Sequence, residues 1–324
     1  MKAMVCEAFG GSEVLALREL PDPPAPGSGE VQVRITARGV QYVDVLMLAG
    51  KYQFRPEPPF IPGSEGAGEI VAVGPGVTGL KTGDKVMCRQ RLGAFAEYGN
   101  VKAQDCDLVP DAMSLDEAAV FRNVYHTAYH ALLQRGRLKA GDRVMIHGAA
   151  GGIGLPAIQI AKLHGAEVIA TASTDDKRKV CLEEGADYAI PYEGGFREKV
   201  LELTRGRGVD IIYDPVNGPT FEESLRCLTW SGRILILGFL GGAPAAARSN
   251  YLLIKGIEAI GVRIGGLIEN HPEIAAANIE TLIGLAGQRK LKPRIWRRYP
   301  LAEAGAAIQA LIDRVVIGKA VLVG

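Results

Sequence analysis

The stretch HGAAGGIG, residues 147 to 154, places four glycines where the apolar run RVMI gives way to the amphipathic run GLPAIQIAK. Glycine loses more backbone freedom on folding than any other residue, so such a run marks a place where something approaches the backbone closely. Ala149, Gly151 and Gly154 occupy the three positions of a GxGxxG pattern, with alanine for the first glycine. In a strand–turn–helix context the middle glycine admits a pyrophosphate and the last lets the helix pack on the sheet. The free N–H groups and the positive dipole end of the helix then face the phosphates. Ala150, Gly151, Gly152 and Ile153 are the candidate contacts. The competing reading is a tight turn without a ligand.

A site for NAD usually ends its second strand in Asp or Glu, which grips the ribose hydroxyls. Here that strand reads EVIATAS and is followed by TDDKRK. No acid stands at the tip, and Ser173, Lys177 and Arg178 can surround a 2′-phosphate. The expected cofactor is NADPH rather than NADH. Asp175 and Asp176 read as favourable charge in the first turn of a helix. For Lys177 and Arg178 the alternative is a solvated helix face.

These groups need a scaffold. At 324 residues the chain exceeds one ordinary core, and two domains are expected. Residues 1–120 hold short β-type runs, VQVRITARGV, GAGEIVAVG and DKVMCRQ, separated by Gly- and Pro-rich turns. That is the layout of a β-barrel or sandwich. From about residue 123 strands alternate with helices, which predicts a parallel sheet covered on both faces. The tail holds a strand, a helix and the final strand KAVLVG, and is assigned back to the first domain. The expected division is 1–122 with 292–324, and 123–291, with ligands in the cleft between them.

Composition excludes several functions. Lys and Arg total 37 against 36 Asp and Glu, a net charge of +1, which gives no reason to expect nucleic acid or a membrane surface as the main partner. The basic stretch RIWRRYP (residues 294–300) reads as a solvated strand or loop face. The first ten residues lack the apolar run of a signal peptide, and no window has eighteen consecutive apolar residues. Five scattered cysteines, with no CxxC pair, read as reduced thiols of a cytoplasmic protein without a structural zinc lobe. His126 and His130 are four apart, and read as ordinary helix or cleft residues rather than metal ligands.

With these pieces placed, the chain resembles the medium-chain dehydrogenase/reductase superfamily, in its zinc-free quinone oxidoreductase branch, the zeta-crystallin-like one. The resemblance runs through GVQYVDVLMLAGKY, PGSEGAGEIVAVGPGV, GDKV, GAFAEY, TAYHAL, HGAAGGIG, GADYAIPY, GVDIIYDPV, GRILILGF, NYLLIKGIEAIG and GKAVL. It implies an α/β chain: a GroES-like β-barrel domain plus a Rossmann domain, with NADPH as cofactor. Zinc-dependent relatives carry a ligating Cys and a ligating His where Gln41 and Ser64 stand here. An amide and a hydroxyl are poor zinc ligands, so no metal is expected. Without a Lewis acid, the fitting acceptor is electron-poor: a quinone or an α,β-unsaturated carbonyl.

The resemblance also implies roles. Gln41 stands where relatives have Asn, near nicotinamide and substrate, and Asp44 serves the same loop structurally. Tyr52 matches a tyrosine beside the nicotinamide, which orients the cofactor or donates a proton; a packed aromatic is the alternative. Thr127 matches a threonine at the carboxamide, Tyr192 and Lys177 match residues around the adenosine phosphate, and Gly238, Phe239 and Leu240 meet the nicotinamide end. Arg122 reads as a surface residue at the domain hinge, with an anion-attracting role at the substrate mouth as the alternative. The edge strand IEAIGVRI (257–264) matches the one by which relatives dimerise, so a homodimer is expected, with no nucleic-acid or membrane partner. Two other readings stand beside the quinone or enone reductase: an enoyl-thioester (acrylyl-CoA-like) reductase, and a crystallin- or RNA-binding-type protein that binds NADPH with little turnover.

Overall fold

The computed structural model describes Met1–Gly324 in full. Its strands, in chain order, are β1 (Lys2–Cys6), β2 (Leu15–Glu19), β3 (Glu30–Gly39), β4 (Glu65–Val73), β5 (Lys85–Arg89), β6 (Tyr98–Lys102) and β7 (Cys106–Leu108). There follow β8 (Arg143–Ile146), β9 (Glu167–Thr171), β10 (Tyr188–Ile190), β11 (Val209–Asp214), β12 (Leu228–Ile236), β13 (Glu258–Gly261), β14 (Ile295–Pro300) and β15 (Lys319–Val323). The chain forms two units, Met1–Asn123 with Ile283–Gly324, and Val124–Leu282.

In the first unit the order is β14-β15-β3-β4-β5-β7, with β6 also paired to β3, and β1 and β2 form a separate ribbon. All pairs are antiparallel except β14 with β15. Alternation in β3 turns Val31, Val33 and Ile35 into the core with Ile70, Val86 and Val101. Arg38 on the same strand is fully buried. Its guanidinium donates to the carbonyls of Ala96 and Gly324, which ties the last residue to β3. Desolvation lowers its pKa to about 10, still charged at neutral pH.

The second unit is a six-stranded sheet, order β10-β9-β8-β11-β12-β13, parallel throughout. From β8 the chain winds outward first to β9 and β10, then to β11, β12 and β13. The crevice at this reversal, at the C-terminal ends of β8 and β11, is where open parallel sheets bind ligands. Met145, Ile169, Ile212 and Ile234 form its centre with Phe196 and Phe221.

Two expectations need correction. The chain re-enters the first unit at Ile283, not 292, inside the helix Pro272–Gly287. The reason is local: Arg289 donates to the Ala112 carbonyl and pairs with Glu117, so this helix's end belongs to the barrel side. The edge strand expected over 257–264 is only Glu258–Gly261, because Ile264 already starts a helix. No helix is long and apolar enough to cross a membrane.

Candidate functional site

The glycine turn lies at the C-terminal end of β8, before the helix Gly154–Leu163. Gly148 has φ +56, a left-handed conformation that favours glycine. A Cβ on Gly154 would lie 2.5 Å from the Ala149 carbonyl oxygen and 2.6 Å from its Cα, so only glycine fits. At Gly151 the added carbon would meet the Gly148 oxygen at 3.1 Å, a tight fit. Within the turn, Gly151 N–H donates to Gly148, Gly154 N–H to Gly151, and Ala149 N–H to Thr171. The N–H groups of Ala150 and Ile153 find no acceptor within the chain. Orphan donors on a turn that opens a helix fit the pyrophosphate of a dinucleotide.

His147 braces this turn from below, a role the sequence did not reveal. It is buried between β9 and the helix Phe221–Cys227. Its Nε2 lies 2.8 Å from Ser224 Oγ, and its Nδ1 lies 2.9 Å from Thr171 Oγ1. Ser224 spends its one proton on the Thr220 carbonyl, so Nε2–H donates to Ser224 and Nδ1 accepts from Thr171. Burial pushes the imidazole pKa down, which keeps the ring neutral as this network requires.

At the tip of β9, Thr171 points inward and Ser173 is half-buried. Thr174 caps the next helix, accepting the Lys177 N–H, and Lys177 stands half-buried on that first turn. Arg178 is engaged elsewhere: it donates to the Ala172 carbonyl at 3.0 Å and pairs with Asp175. Ser173 thus lies next to a helix turn that carries both Lys177 and Arg178. Tyr192 follows β10 and packs partly against the core, so its ring is a wall rather than a free arm. Gly238, Phe239 and Leu240 follow β12, where Leu240 N–H donates to the Pro215 carbonyl and Phe239 is half-exposed. All these segments lie at one edge of one sheet. Thr127 is in the same unit, in the helix Arg122–Tyr129, whose first two residues belong to the other unit.

The first unit carries a second cluster. Gln41 precedes the helix Tyr42–Leu48, and its amide Nε2 donates to Ser64 Oγ at 3.1 Å. One of its two amide N–H groups is therefore spent inside the loop. Glu65 is buried and accepts from Lys319 Nζ at 2.9 Å; Lys319 also donates to the Val40 carbonyl. Asp44, fully buried, accepts the Gln41 N–H at 2.8 Å. Desolvation raises both acids, Asp44 to about 7, while Lys319 opposes the rise. Tyr52 stands half-exposed in the loop after this helix. Arg122 makes a 2.5 Å ion pair with Asp107 and is mostly buried, which removes it as an attractor of anions. A surface groove of about 560 Å³ between Gly194–Glu198 and Pro219–Arg226 carries charges of both signs and shares no residue with either cluster.

Two family models match the chain: the alcohol dehydrogenase GroES-like domain over residues 27–111 and the zinc-binding dehydrogenase model over 152–281. Quinone oxidoreductase-like protein 2 of Mus musculus is 34% identical over 99% of this chain and 91% of its own length. The quinone oxidoreductase of Rattus norvegicus is 32% identical over 96% of this chain and 94% of its own. The chain belongs to the medium-chain dehydrogenase/reductase superfamily, in its quinone oxidoreductase branch. Among solved structures of this superfamily, Escherichia coli quinone oxidoreductase complexed with NADPH superposes with a TM-score of 0.93, at 31% identity and full coverage of both chains. A mycobacterial protein complexed with NADPH gives 0.93 at 32% identity, again with full coverage of both chains. The two units are the superfamily's GroES-like barrel and Rossmann domains, and the chain is an oxidoreductase.

The zinc that one matching model's description implies does not fit this donor set. At the ligand positions an amide is bonded to a hydroxyl, and the neighbouring carboxylate is held by an ammonium. No group of three or more His, Cys, Asp or Glu side chains is arranged to hold a metal ion. All five cysteines are buried, and desolvation raises Cys88 to about 12, so none offers a thiolate near neutral pH.

Proposed function

We propose that this protein is an NADPH-dependent, zinc-independent oxidoreductase that transfers hydride to a quinone or an α,β-unsaturated carbonyl. The observation that carries the reading is the Gln41–Ser64–Glu65–Lys319 network. It puts hydrogen-bonded neutral groups and a paired ammonium where a Lewis acid would have to sit. An acceptor that needs no metal to draw hydride suits such a site. Reduced nicotinamide supplies the hydride when bound. The N–H groups of Ala150 and Ile153, with Gly151 and Gly152 between them, take the pyrophosphate, and Ser173 and Lys177 take the 2′-phosphate. Tyr192 walls the adenosine side. Thr127 and the Gly238–Leu240 segment orient the nicotinamide end. Gln41, one of its amide N–H groups committed to Ser64, shapes the loop. Tyr52, whose phenol makes no hydrogen bond within the chain, is the group left to give a proton to the reduced oxygen.

The test is NADPH oxidation with 1,4-benzoquinone, 9,10-phenanthrenequinone and a short enone, before and after exhaustive chelation. Turnover that survives chelation and prefers NADPH over NADH supports the reading. Activity that requires stoichiometric zinc overturns it, and NADPH binding without turnover of any acceptor favours a binding protein instead. We further propose a homodimer through the open edge of the Rossmann sheet. Trp230 is 71% exposed, Leu253 82% and Ile254 67%, an apolar group beside edge strand β13. Light scattering should give twice the chain mass, and Trp230→Glu should halve it.

A further inference from the structure

Tyr52 shares its loop with a set of charges that have no counterparts. Arg55 lies over the ring of Phe9, 4.6 Å from its centroid, and Arg91 lies over Phe54 at 4.9 Å. Neither guanidinium is within ion-pairing distance of a carboxylate, whereas Arg18 pairs with Glu7, Arg34 with Glu69, Arg89 with Asp105 and Arg122 with Asp107. Lys51 and Glu57 in the same loop are exposed and also unpaired. The local charge is thus positive in a chain that is otherwise balanced.

Both arginines adjoin segments of the Gln41 cluster. Gln90 N–H donates to the Ser64 carbonyl at 3.0 Å, so Arg91 is the residue next to one that braces the Ser64 loop. Arg55 packs against Gly50, which closes the helix that starts after Gln41: a Cβ there would lie 3.3 Å from its Nε. Stacking on an aromatic face holds a guanidinium plane while its five N–H donors stay available at the edge. A preorganised fork without an acid partner is built for an anion from outside the chain.

We propose that Arg91, assisted by Arg55, forms an anion subsite on the loop that carries Tyr52, and that the preferred acceptors carry a carboxylate or sulfonate on the electron-poor unit. This rests on the reading of the protein as a quinone or enone reductase. It transfers to Arg91 and Arg55 the role that Arg122, locked to Asp107, does not fill.

The test compares 1,2-naphthoquinone with its 4-sulfonate at saturating NADPH. Intrinsic reactivities differ between the two, so the readout is the variant-to-parent ratio for each. Arg91→Gln should raise KM for the sulfonate about tenfold, the scale of one charge-assisted hydrogen bond at a partly exposed site, and leave the neutral quinone within twofold. Arg55→Gln should give a smaller rise of the same kind, and added salt should mimic both in the parent protein. NADPH affinity, read by fluorescence, should stay constant. Equal losses on both acceptors overturn the proposal, because they indicate loop packing on Phe54. Weakened NADPH binding in Arg91→Gln also overturns it, since the cation would then serve the cofactor. If the parent protein turns over neither quinone, the functional reading fails and the subsite is judged alone. Calorimetry with 2-naphthalenesulfonate on the NADPH-loaded protein then decides: binding lost in the double variant upholds it, and no binding to the parent protein ends it.

Discussion

Asp44 offers the sharpest test of the buried network. It is fully buried, and burial raises its pKa from 3.8 to about 7, despite the Gln41 and Gly63 N–H groups and the Lys319 ammonium; Glu65 pushes it further up. Between those two pH values the folded chain holds a proton that the unfolded chain has released. The stability this proton confers is therefore complete below about pH 3.8, falls as pH rises, and is gone above about 7. A shift of about three pKa units corresponds to roughly 4 kcal/mol over the whole range, and roughly 2 to 3 kcal/mol between pH 5 and 7. Asp44→Asn keeps an oxygen for the Gln41 N–H and cannot titrate. It should therefore gain on the parent protein by about that amount as pH rises from 5 to 8, with the gain levelling off above 7. Glu65 and Lys319 are present in both proteins, so the difference reports Asp44 together with its coupling to them. Two tryptophans make the measurement local: Trp296 reports on the first unit, and Trp230→Phe silences the second. Urea midpoints followed by Trp296 fluorescence at pH 5, 6, 7 and 8 give the curves. Parallel curves for Asn and Asp would refute the reasoning, because Asp44 would then be ionised throughout despite its burial.

Other outcomes follow from the same geometry. Gly154→Ala forces a carbon to within 2.5 Å of backbone, so NADPH affinity by fluorescence titration should fall at least tenfold, with Tm lowered. Ser173→Asp combined with Lys177→Ala should cost about ten- to a hundredfold in kcat/KM for NADPH and spare NADH, because the strand tip would then carry an acid for ribose hydroxyls. Tyr52→Phe should lower kcat several-fold with NADPH affinity unchanged; an unaltered kcat would make Tyr52 a packing residue and the proton source solvent. His147→Phe leaves Ser224 and Thr171 without their buried partner and should cost about 2 to 4 kcal/mol, measured as a lowered midpoint of the Rossmann unit followed by Trp230 fluorescence.

What could be read in advance was what neighbours in sequence decide. The turn at 148–154 needs glycine because of its own backbone, and the strands and helices around it follow from apolar periodicity, so both were legible. The charged network was not, because its partners meet only after folding: Lys319 reaches Glu65 across 254 residues, and its place in GKAVL looked like part of a final strand. The same limit explains Arg122, whose neighbours in sequence gave no sign of Asp107 on β7. The boundary at 283 escaped because the helix Pro272–Gly287 is one continuous periodic run, and only the Arg289 contacts with Ala112 and Glu117 show where its allegiance changes. Residue type named the missing metal ligands, since Gln41 and Ser64 are poor ones wherever they lie. What Glu65 beside them pairs with could not be named that way. A buried carboxylate demands a cation or a proton, and sequence alone leaves open which of the chain's basic residues answers. Here Lys319 answers for Glu65 and a proton for Asp44, and that division of labour makes the site's stability, rather than its ligand set, sensitive to pH.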